Sequence, residues 1–310
     1  MVAPVPGALA RRPGPSVRVR VVEHRSTVDD DAPDASQGAT SRTREDRVVT
    51  EEPLEIRLTS PGLPPRRVAV TMRTPGHDFE LAAGFLYAEG VLEPAALAGV
   101  AYCTDVDLAP EEQFNVVTVT LTAPPPREPA PRYAGPTAGS AACGVCGKDS
   151  VADALAVHLG DCADGADGAR AHADLRVDPA LLGSLPDRLR AAQRVFDRTG
   201  GLHAAGLFTA GGDPLVVRED VGRHNAVDKV VGARLLAADH PGPPVMCVSG
   251  RIGFELAQKA AAAGVGVIAG VGAPSSLALD LADRAGLTVV GFTRPDRCVV
   301  YTHPDRIGPG

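Results

Sequence analysis

The sequence predicts an α/β protein, in which a layered α/β domain follows a smaller N-terminal α+β domain. The larger domain is indicated by three short apolar segments of strand length that alternate with helix-length segments. These segments are PVMCVSG, VGVIAGVG and LTVVGFT. Strands separated by helices are the pattern of right-handed crossovers, which join parallel strands into one sheet. The smaller domain is indicated by short alternating strands around one amphipathic helix.

Residues 1–47 are rich in Pro, Ser, Asp and Arg and show no hydrophobic periodicity, so we expect a disordered extension there. Ordered structure is predicted to begin near Arg47. The small α+β domain is assigned to residues 48–130 and ends at the proline-rich linker APPPREPAP. Its predicted elements are the strands RVVTEEPLEIRLT and RRVAVTMRT, the helix HDFELAAGFLYAEGVL, and the strands VAYCTDVD and FNVVTVTLT.

Residues 131–175 are predicted to form a cysteine-bearing loop and linker, and residues 176–310 the α/β domain. One helix over PALLGSLPDRLRAAQRVFDRTGG is predicted near the start of this domain, with a Gly-Gly pair ending it. The other predicted elements are the strands LHAAGLFTA and LVVRED and the helices HNAVDKVVGARLLAADH, GFELAQKAAAAG and SLALDLADRAG. We expect an open α/β layer fold.

The net charge of −7 and an isoelectric point near 5.6 give the chain no general attraction for nucleic acid or for an anionic membrane. No segment reaches the roughly 18 apolar residues of a membrane helix, and the N-terminus has no apolar signal-peptide core. We therefore expect a cytoplasmic protein. Its six cysteines are too sparse for a disulfide scaffold and should remain thiols. Cys247 and Cys298 lie in apolar runs and are predicted to be buried.

Three short segments follow the three predicted parallel strands and should meet at one edge of the sheet. In open α/β sheets, ligands bind beyond the carboxyl ends of the strands, where loops and helix N-termini converge. The segments are Ser249-Gly250-Arg251, Gly272-Ala273-Pro274-Ser275-Ser276 and Phe292-Thr293-Arg294. With Arg251, Arg294 and Arg297 nearby, this edge is predicted to bind a phosphate or pyrophosphate. Ordinary helix N-capping is the alternative explanation of the serines.

The pair Cys143/Cys146 in CGVCG lies in a loop of small residues and is the predicted reactive centre. Of two thiols within mutual reach, one can ionise at lower pH while the other stabilises or resolves it, and Lys148 adds positive charge. Structural zinc is the competing interpretation, but the chain has no second CxxC or HxxxH motif. The residues left to complete such a site are Cys103, Cys162 or His158. A thioredoxin-like role fits less well, because that motif opens a helix directly after a strand.

The segments TGGLHAAG and REDVGRHNAVDK form a second cluster of functional side chains. The cluster contains His203, Glu219, Asp220, Arg223, His224, Asn225, Asp228 and Lys229. The acidic residues before the helix are also explained by its positive N-terminus, and Asp228 and Lys229 by a solvated face. A zinc site of the deaminase kind needs HxE and PCxxC motifs, and this sequence has neither.

Five ordered motifs together resemble the formate dehydrogenase accessory sulfurtransferases, the FdhD family. They are CGVCG, TGGLHAAGLF, EDVGRHNAVDKVVG, SGRIGFELAQKAAAAGV and LTVVGFTR, and RTPGHDFELAAGFLYAEGV is similar to an early motif of the family. The resemblance covers about Arg47 to Ile307. It implies a cytidine-deaminase-like fold without zinc chemistry, and a homodimer. It also implies that the chain accepts persulfide sulfur from a cysteine desulfurase and sulfurates the molybdenum cofactor of formate dehydrogenase.

Carried over residue by residue, the resemblance implies that Cys143 bears the persulfide and that Cys146 is its partner. It implies that the segment Phe292-Thr293-Arg294-Pro295-Asp296-Arg297 binds the bis(molybdopterin guanine dinucleotide) form of the cofactor as cargo. Arg251 is expected to join Arg294 and Arg297 on the phosphates of this cargo. The residues expected to line the pterin pocket are His203, Asp220, Arg223 and His224, and no bound zinc is expected.

Two other functions remain open from the residues alone. One is a cofactor-binding chaperone that moves no sulfur, which would need the strand-end arginines but not both cysteines. The other is a zinc-stabilised structural adaptor, which would hold one tightly bound metal per chain or dimer and carry no persulfide.

Overall fold

The computed structural model describes residues 13–27, 38–104, 108–109, 112–129, 172, 174–237 and 245–308. The described residues form a two-stranded hairpin, a four-stranded sheet and a six-stranded sheet, with helices packed on the two larger sheets. The predicted α/β class is therefore confirmed. Within the described part of the chain, no helix is long and apolar enough to cross a membrane.

The N-terminal region differs from the prediction. Strands β1 (Ser16–Thr27) and β2 (Gly38–Val49) pair in antiparallel register along their whole length, so the expectation of disorder over residues 1–47 is wrong for these two segments. Continuous cross-strand pairing satisfies the backbone polar groups even though few side chains are buried. Residues 1–12 and 28–37 lie outside the described ranges.

The smaller domain is a four-stranded sheet covered by one helix. Its strands are β3 (Glu52–Ser60), β4 (Leu63–Arg73), β5 (Leu97–Tyr102) and β6 (Val116–Leu121), in the order β4-β3-β6-β5. Helix α1 (Asp78–Ala88) packs on this sheet, and a 3-10 turn (Pro94–Ala96) precedes β5. The inward side chains of the alternating strands meet the helix in one apolar core that includes Leu54, Ile56, Leu81, Leu86, Val117 and Val119.

A fully buried ion pair fixes the turn between β4 and α1. The guanidinium of Arg73 donates to both carboxylate oxygens of Asp78 at 3.1 Å, and the Tyr102 hydroxyl donates to Asp78 at 2.7 Å. Arg73 also donates to the Asn115 side-chain oxygen at 2.9 Å. Because the charges are paired and additionally hydrogen-bonded, their burial is tolerated and orients the start of α1.

The larger domain contains the six-stranded sheet in the order β12-β11-β10-β9-β7-β8. Its strands are β7 (His203–Phe208), β8 (Pro214–Asp220), β9 (Val245–Val248), β10 (Val267–Gly270), β11 (Thr288–Arg294) and β12 (Arg297–Val300). Its helices are α2 (Pro179–Ala191), α3 (Phe196–Thr199), α4 (Arg223–Leu236), α5 (Phe254–Ala262) and α6 (Ser276–Ala285), followed by a 3-10 turn (Pro304–Arg306).

Strands β9, β10 and β11 are parallel neighbours, as the alternating pattern predicts. Helices α4, α5 and α6 share one apolar core with one face of the sheet, and α2 shares a second core with the other face. Cys247 belongs to the second core and is fully buried, as predicted. The six-stranded sheet is thus the middle of three layers.

Two predictions about the larger domain need correction. Strand β12, which the sequence pattern does not predict, pairs antiparallel with β11 and closes that edge of the sheet. Cys298 lies in β12 and is only partly buried, because this strand is at the edge. The single helix predicted over residues 179–201 is divided into α2 and the short α3.

The two domains meet where helices α1 and α4 cross at two glycines. A Cβ atom added to Gly84 would lie 1.9 Å from the Asp228 carbonyl oxygen, and one added to Gly232 would lie 1.8 Å from the Glu80 carbonyl oxygen. The obstructing atoms are backbone atoms, so no rotamer change relieves the overlap. Only glycine at both positions allows this helix approach.

An ion pair beside the crossing also joins the domains. Arg218 on β8 donates to the two carboxylate oxygens of Glu80 at 2.5 and 2.7 Å. Burial raises the pKa of Glu80, but hydrogen bonds and charge from Arg218 and His77 outweigh it and hold this pKa at about 2. Glu80 is therefore ionised near neutral pH.

Replacing Gly84 with alanine should destabilise the protein by about 3 kcal/mol, because the new methyl group overlaps backbone atoms of α4. Urea unfolding of Gly84→Ala measures this loss. The matched control is Gly99→Ala on β5, where an added Cβ meets nothing within 4 Å. Equal stability of the two variants would contradict the close crossing.

Replacing Glu80 with glutamine should lower the free energy of unfolding at pH 7 by about 2 kcal/mol, because a charge-assisted hydrogen-bond pair is weakened. The folded-state pKa lies below the ordinary value of 4.5, so this contribution is full above about pH 4.5 and declines as the pH falls toward 2. Unfolding of both proteins across this range measures the difference. Glu93→Gln, at an exposed position outside the interface, should show no such difference.

Candidate functional site

The three predicted strand-end segments lie side by side at the carboxyl edge of the parallel strands. The Gly272 amide donates to the Gly250 carbonyl at 3.3 Å, and the Phe292 amide donates to the Gly272 carbonyl at 3.2 Å. Gly250 and Gly272 therefore continue the order of β9 and β10 beyond the regular strands, beside Phe292 of β11. The expectation that these segments converge is confirmed.

The serines of this edge have structural hydrogen bonds. Ser275 is the N-cap of α6 and accepts from the Ala278 amide at 3.4 Å, so ordinary capping accounts for it. The Ser249 hydroxyl accepts from the Ala204 amide at 2.9 Å and fixes the end of β9 against β7. The arginines have no comparable structural role and remain the candidates for binding an anion.

Phe292 has a strained backbone at a strand irregularity. Its φ angle is 48°, in the left-handed region, and the pairing register of β11 with β12 shifts between Gly291 and Arg294. The guanidinium of Arg297 lies 5.6 Å from the centroid of the Phe292 ring. A bulge re-aims a side chain out of the regular alternation, and here it changes the direction of an aromatic ring at the site edge.

Arg251, Arg294 and Arg297 are exposed at or beside this edge. A Cβ on Gly272 would lie 2.8 Å from the Arg251 Cγ atom, which places Arg251 against the neighbouring loop. Among the described residues, no carboxylate forms an ion pair with any of the three arginines. They are thus available to donate to phosphate oxygens.

A cavity of about 490 Å³ opens at the same edge, between α2, α3 and the strand ends. Its polar lining comes from Arg190, Gln193, His203 and Ser249, and its aromatic lining from Phe196. Burial lowers the pKa of His203, and the charge of Arg223 lowers it further against the opposing effect of Asp220. His203 is therefore mainly neutral at pH 7 and can both donate and accept a hydrogen bond. A cavity of this size suits a small-molecule ligand.

Glu219 positions helix α3, which forms one wall of the cavity. Its carboxylate accepts from the backbone amides of Val195 and Phe196 at 3.0 and 2.8 Å, which caps α3 and separates it from α2. The Arg190 guanidinium lies 4.6 Å from the centroid of the Phe196 ring. Sequence reasoning missed Arg190, Gln193 and Phe196 because the apolar spacing predicts an uninterrupted helix there. The Gly200-Gly201 pair, which also lines the cavity, predicts the end of this helix but gives no signal of the break between Ala191 and Phe196.

Asp220 is fully buried behind this cavity and binds structural partners. The ammonium of Lys229 lies 2.6 Å from one Asp220 oxygen and also donates to the Thr74 carbonyl at 2.9 Å. The other Asp220 oxygen accepts from Gly222 and Asn225 at 2.8 and 3.0 Å. This network links the β4–α1 turn of the small domain to the β8–α4 turn of the large domain. It does not bring the Asp220 carboxylate to the cavity surface.

The His224 side chain also contacts a structural partner, Glu255. Its Nε2 atom lies 3.1 Å from a Glu255 oxygen, between α4 and α5. One turn further along α4, Asp228 lies 2.7 Å from the Lys259 ammonium, so it is not on a solvated face. Burial raises the pKa of Asp228 to about 6 against the lowering effect of Lys259. Of the four residues expected to line the pterin pocket, His203 lines this cavity, and the charge of Arg223 lowers the pKa of His203. Asp220 and His224 instead bind structural partners.

The cysteine pair Cys143/Cys146, together with Lys148, Cys162 and His158, lies outside the described residues. Cys103 is half-buried, and its sulfur accepts from Arg57 at 3.8 Å. In the part of the chain that the structure describes, no group of three or more His, Cys, Asp or Glu side chains is arranged to hold a metal ion.

Replacing Asp220 with asparagine should destabilise the protein by about 3–5 kcal/mol, because Lys229 remains as a buried charge without its partner. Thermal or urea unfolding measures the loss, and the double variant Asp220→Asn/Lys229→Met should recover part of it. Asp213→Asn, at an exposed position just before β8, is the control. Unchanged stability with altered ligand binding would contradict the structural role of Asp220.

Similar proteins match most of the chain. A protein named Sulfur carrier protein FdhD from Streptomyces coelicolor is 50% identical over 290 residues, which cover 93% of this chain and 96% of its own. Proteins of the same name from Mycobacterium tuberculosis and Thermoplasma volcanium are 47% and 40% identical, and cover 86% and 85% of this chain and 93% and 90% of their own.

A crystal structure and a family model agree with these relatives. The crystal structure is that of a candidate formate dehydrogenase accessory protein from Desulfotalea psychrophila, with a TM-score of 0.61 and 23% identity. It covers 93% of this chain and 99% of its own, and so supports the fold. The model of the FdhD/NarQ family matches residues 49–308. This match, together with relatives up to 50% identical, shows that the chain belongs to the FdhD/NarQ family.

Proposed function

We propose that this chain is a sulfur carrier for the maturation of formate dehydrogenase. It takes persulfide sulfur from a cysteine desulfurase and sulfurates the molybdenum cofactor in its bis(molybdopterin guanine dinucleotide) form. The observation that carries the proposal is the strand-end edge, where a cavity opens and where three arginines without ion-pair partners among the described residues lie with a strained aromatic residue. The name shared by the relatives, Sulfur carrier protein FdhD, supports the sulfur chemistry.

The cargo suits the chemistry of this edge. A guanine dinucleotide carries a pyrophosphate, which matches the guanidinium groups of Arg251, Arg294 and Arg297. The neighbouring cavity offers the Phe196 ring for stacking and the Gln193 amide and neutral His203 for hydrogen bonds. We assign the cavity to one nucleoside of the cargo and the arginines to its phosphates. The segment from Phe292 to Arg297 remains the proposed cofactor-binding strand end.

The sulfur step rests on the pair Cys143/Cys146. The Cys143 thiolate attacks the outer sulfur of the desulfurase persulfide, its S–S bond breaks, and the desulfurase cysteine leaves as a thiolate. Cys143 then carries the outer sulfur. Attack of the Cys146 thiolate on the inner sulfur, which is the Cys143 Sγ atom, breaks the persulfide S–S bond. The outer sulfur leaves as sulfide for the cofactor, and a Cys143–Cys146 disulfide remains. A cellular dithiol reduces that disulfide and restores both thiols.

The proposal also covers the cellular location and the oligomeric state of the protein. We place the protein in the cytoplasm, where its cysteines stay reduced, and we propose a homodimer. The acidic chain as a whole and the absence of a membrane-spanning helix among the described residues fit partners that are proteins and a small molecule.

Replacing Cys143 with alanine should abolish sulfur loading, because the persulfide acceptor is removed. The protein is incubated with a cysteine desulfurase and cysteine, and intact-mass spectrometry measures the addition of whole sulfur atoms. Cys103→Ala is the matched control, since that thiol lies half-buried on the small domain. Activation of formate dehydrogenase should follow sulfur loading in each variant.

The outcomes separate the three candidate functions. Loading of the wild type and of Cys103→Ala, but not of Cys143→Ala, supports the sulfur carrier. Guanosine diphosphate binding without any sulfur loading would establish the cofactor chaperone in its place. One zinc ion per chain or dimer by elemental analysis, again without loading, would establish the structural adaptor.

A further inference from the structure

The hairpin β1–β2, here called the arm, extends over 12 residues in each strand. At about 3.4 Å per residue it spans about 40 Å. A two-stranded hairpin with solvent on both faces is marginally stable by itself, so a segment of this length gains most when another surface covers it. Val17 and Val22 are 48% and 57% exposed, so the arm presents apolar side chains to solvent.

Side chains directly opposite each other in the register share one face of the arm. Val17 is paired with Val48, and Arg18 is paired with Arg47. Because faces alternate along a strand, Val19 and Val21 continue the face of Val17. The two faces of the arm therefore differ in polarity near its base. One face begins with a row of valines, and the opposite face begins with arginines.

Ion pairs organise part of the arm. Glu23 lies 3.0 Å from Arg25 and 3.3 Å from Arg44, and Arg44 lies 3.1 Å from Asp46. The hydrogen bond and charge of Arg25 lower the pKa of Glu23, and Arg44 adds to this effect. Arg20 and Arg42 form no ion pair among the described residues. These two guanidinium groups are available to a partner.

The arm is basic on a chain that is otherwise acidic. Its strands carry six arginines against two glutamates and one aspartate, which is a net charge of +3. The whole chain carries −7, so the rest of the chain carries −10, of which four charges are aspartates in residues 28–37, which join the two strands. An acidic protein surface is therefore attracted to the strands of the arm and not to the rest of the chain.

The arm is rooted at the rim of the cavity. Strand β2 packs against α3, whose Phe196 lines the cavity. Val49, the last residue of β2, lies against Gly201, since a Cβ on that glycine would be 3.6 Å from the Val49 side chain. Gly201 lines the cavity as well. A partner protein that binds the arm is thus held beside the opening of the cavity, through which cargo would pass.

We propose that the arm docks the recipient dehydrogenase through an acidic surface strip of that enzyme. The inference rests on the proposed function, which supplies the recipient. Arginines meet the acidic strip, and the valine row covers apolar surface next to it. A protein fits this surface better than nucleic acid does, because the valine row offers an apolar contact that a phosphate backbone does not use.

The test compares two triple variants of the full chain. The arm variant Arg18→Gln/Arg20→Gln/Arg42→Gln lowers the arm charge from +3 to zero. The control Arg66→Gln/Arg67→Gln/Arg284→Gln removes the same charge from exposed positions on β4 and α6. Binding to cofactor-free formate dehydrogenase from the same organism is measured by biolayer interferometry at several salt concentrations. Circular dichroism establishes that both variants are folded.

We expect the arm variant to bind the dehydrogenase about tenfold more weakly, mainly through slower association, and to lose most of the salt dependence. The control should bind like the wild type. Equal weakening of both variants, or no weakening of the arm variant, would overturn the proposal. Weakened binding to duplex DNA or a change in oligomeric state, without a change in dehydrogenase binding, would assign the arm to nucleic acid or to a second copy instead.

Separate measurements keep the two proposals apart. Sulfur loading and guanosine diphosphate binding should be unchanged in the arm variant, because its substitutions lie outside the cavity and the cysteine pair. If the wild type neither loads sulfur nor binds guanosine diphosphate, the proposed function fails. If it does both and the arm variant still binds the dehydrogenase normally, the arm proposal alone fails.

Discussion

Helices α1 and α4 cross with their backbones in contact at Gly84 and Gly232, and the rest of the structure depends on this approach. The crossing brings the β4–α1 turn close enough for Thr74 to contact both Asp220 and Lys229. It also brings Glu80 to Arg218 on β8. A wider separation of the helices would remove the hydrogen bonds of Thr74 with Asp220 and Lys229 and the ion pair of Glu80 with Arg218, in addition to the apolar contact.

This arrangement sets the geometry of the site, although no residue of the crossing touches the cavity. The buried network holds the end of β8, and β8 carries Glu219 to the amides that begin α3. The aromatic wall of the cavity at Phe196 therefore depends on a strand that the small domain holds in place. The small domain acts as a support for a site that belongs almost entirely to the large domain.

Positive charge is concentrated in two places on an acidic chain. The strand-end arginines lie at the sheet edge where the cavity opens, and the basic arm begins at the rim of the same cavity. The first group suits a small anionic cargo, and the second suits an extended acidic surface.

The sequence by itself determined the parallel strands β9 to β11, because their apolar runs alternate with helical periodicity, and it determined that their three end segments converge. Apolar spacing is a local signal. It could not show that Glu219 divides the predicted helix by accepting from Val195 and Phe196. It could not place Asp220 in a buried pair with Lys229, nor pair two polar strands into the arm. Those features arise from hydrogen bonds between distant residues, so only the tertiary structure decided them.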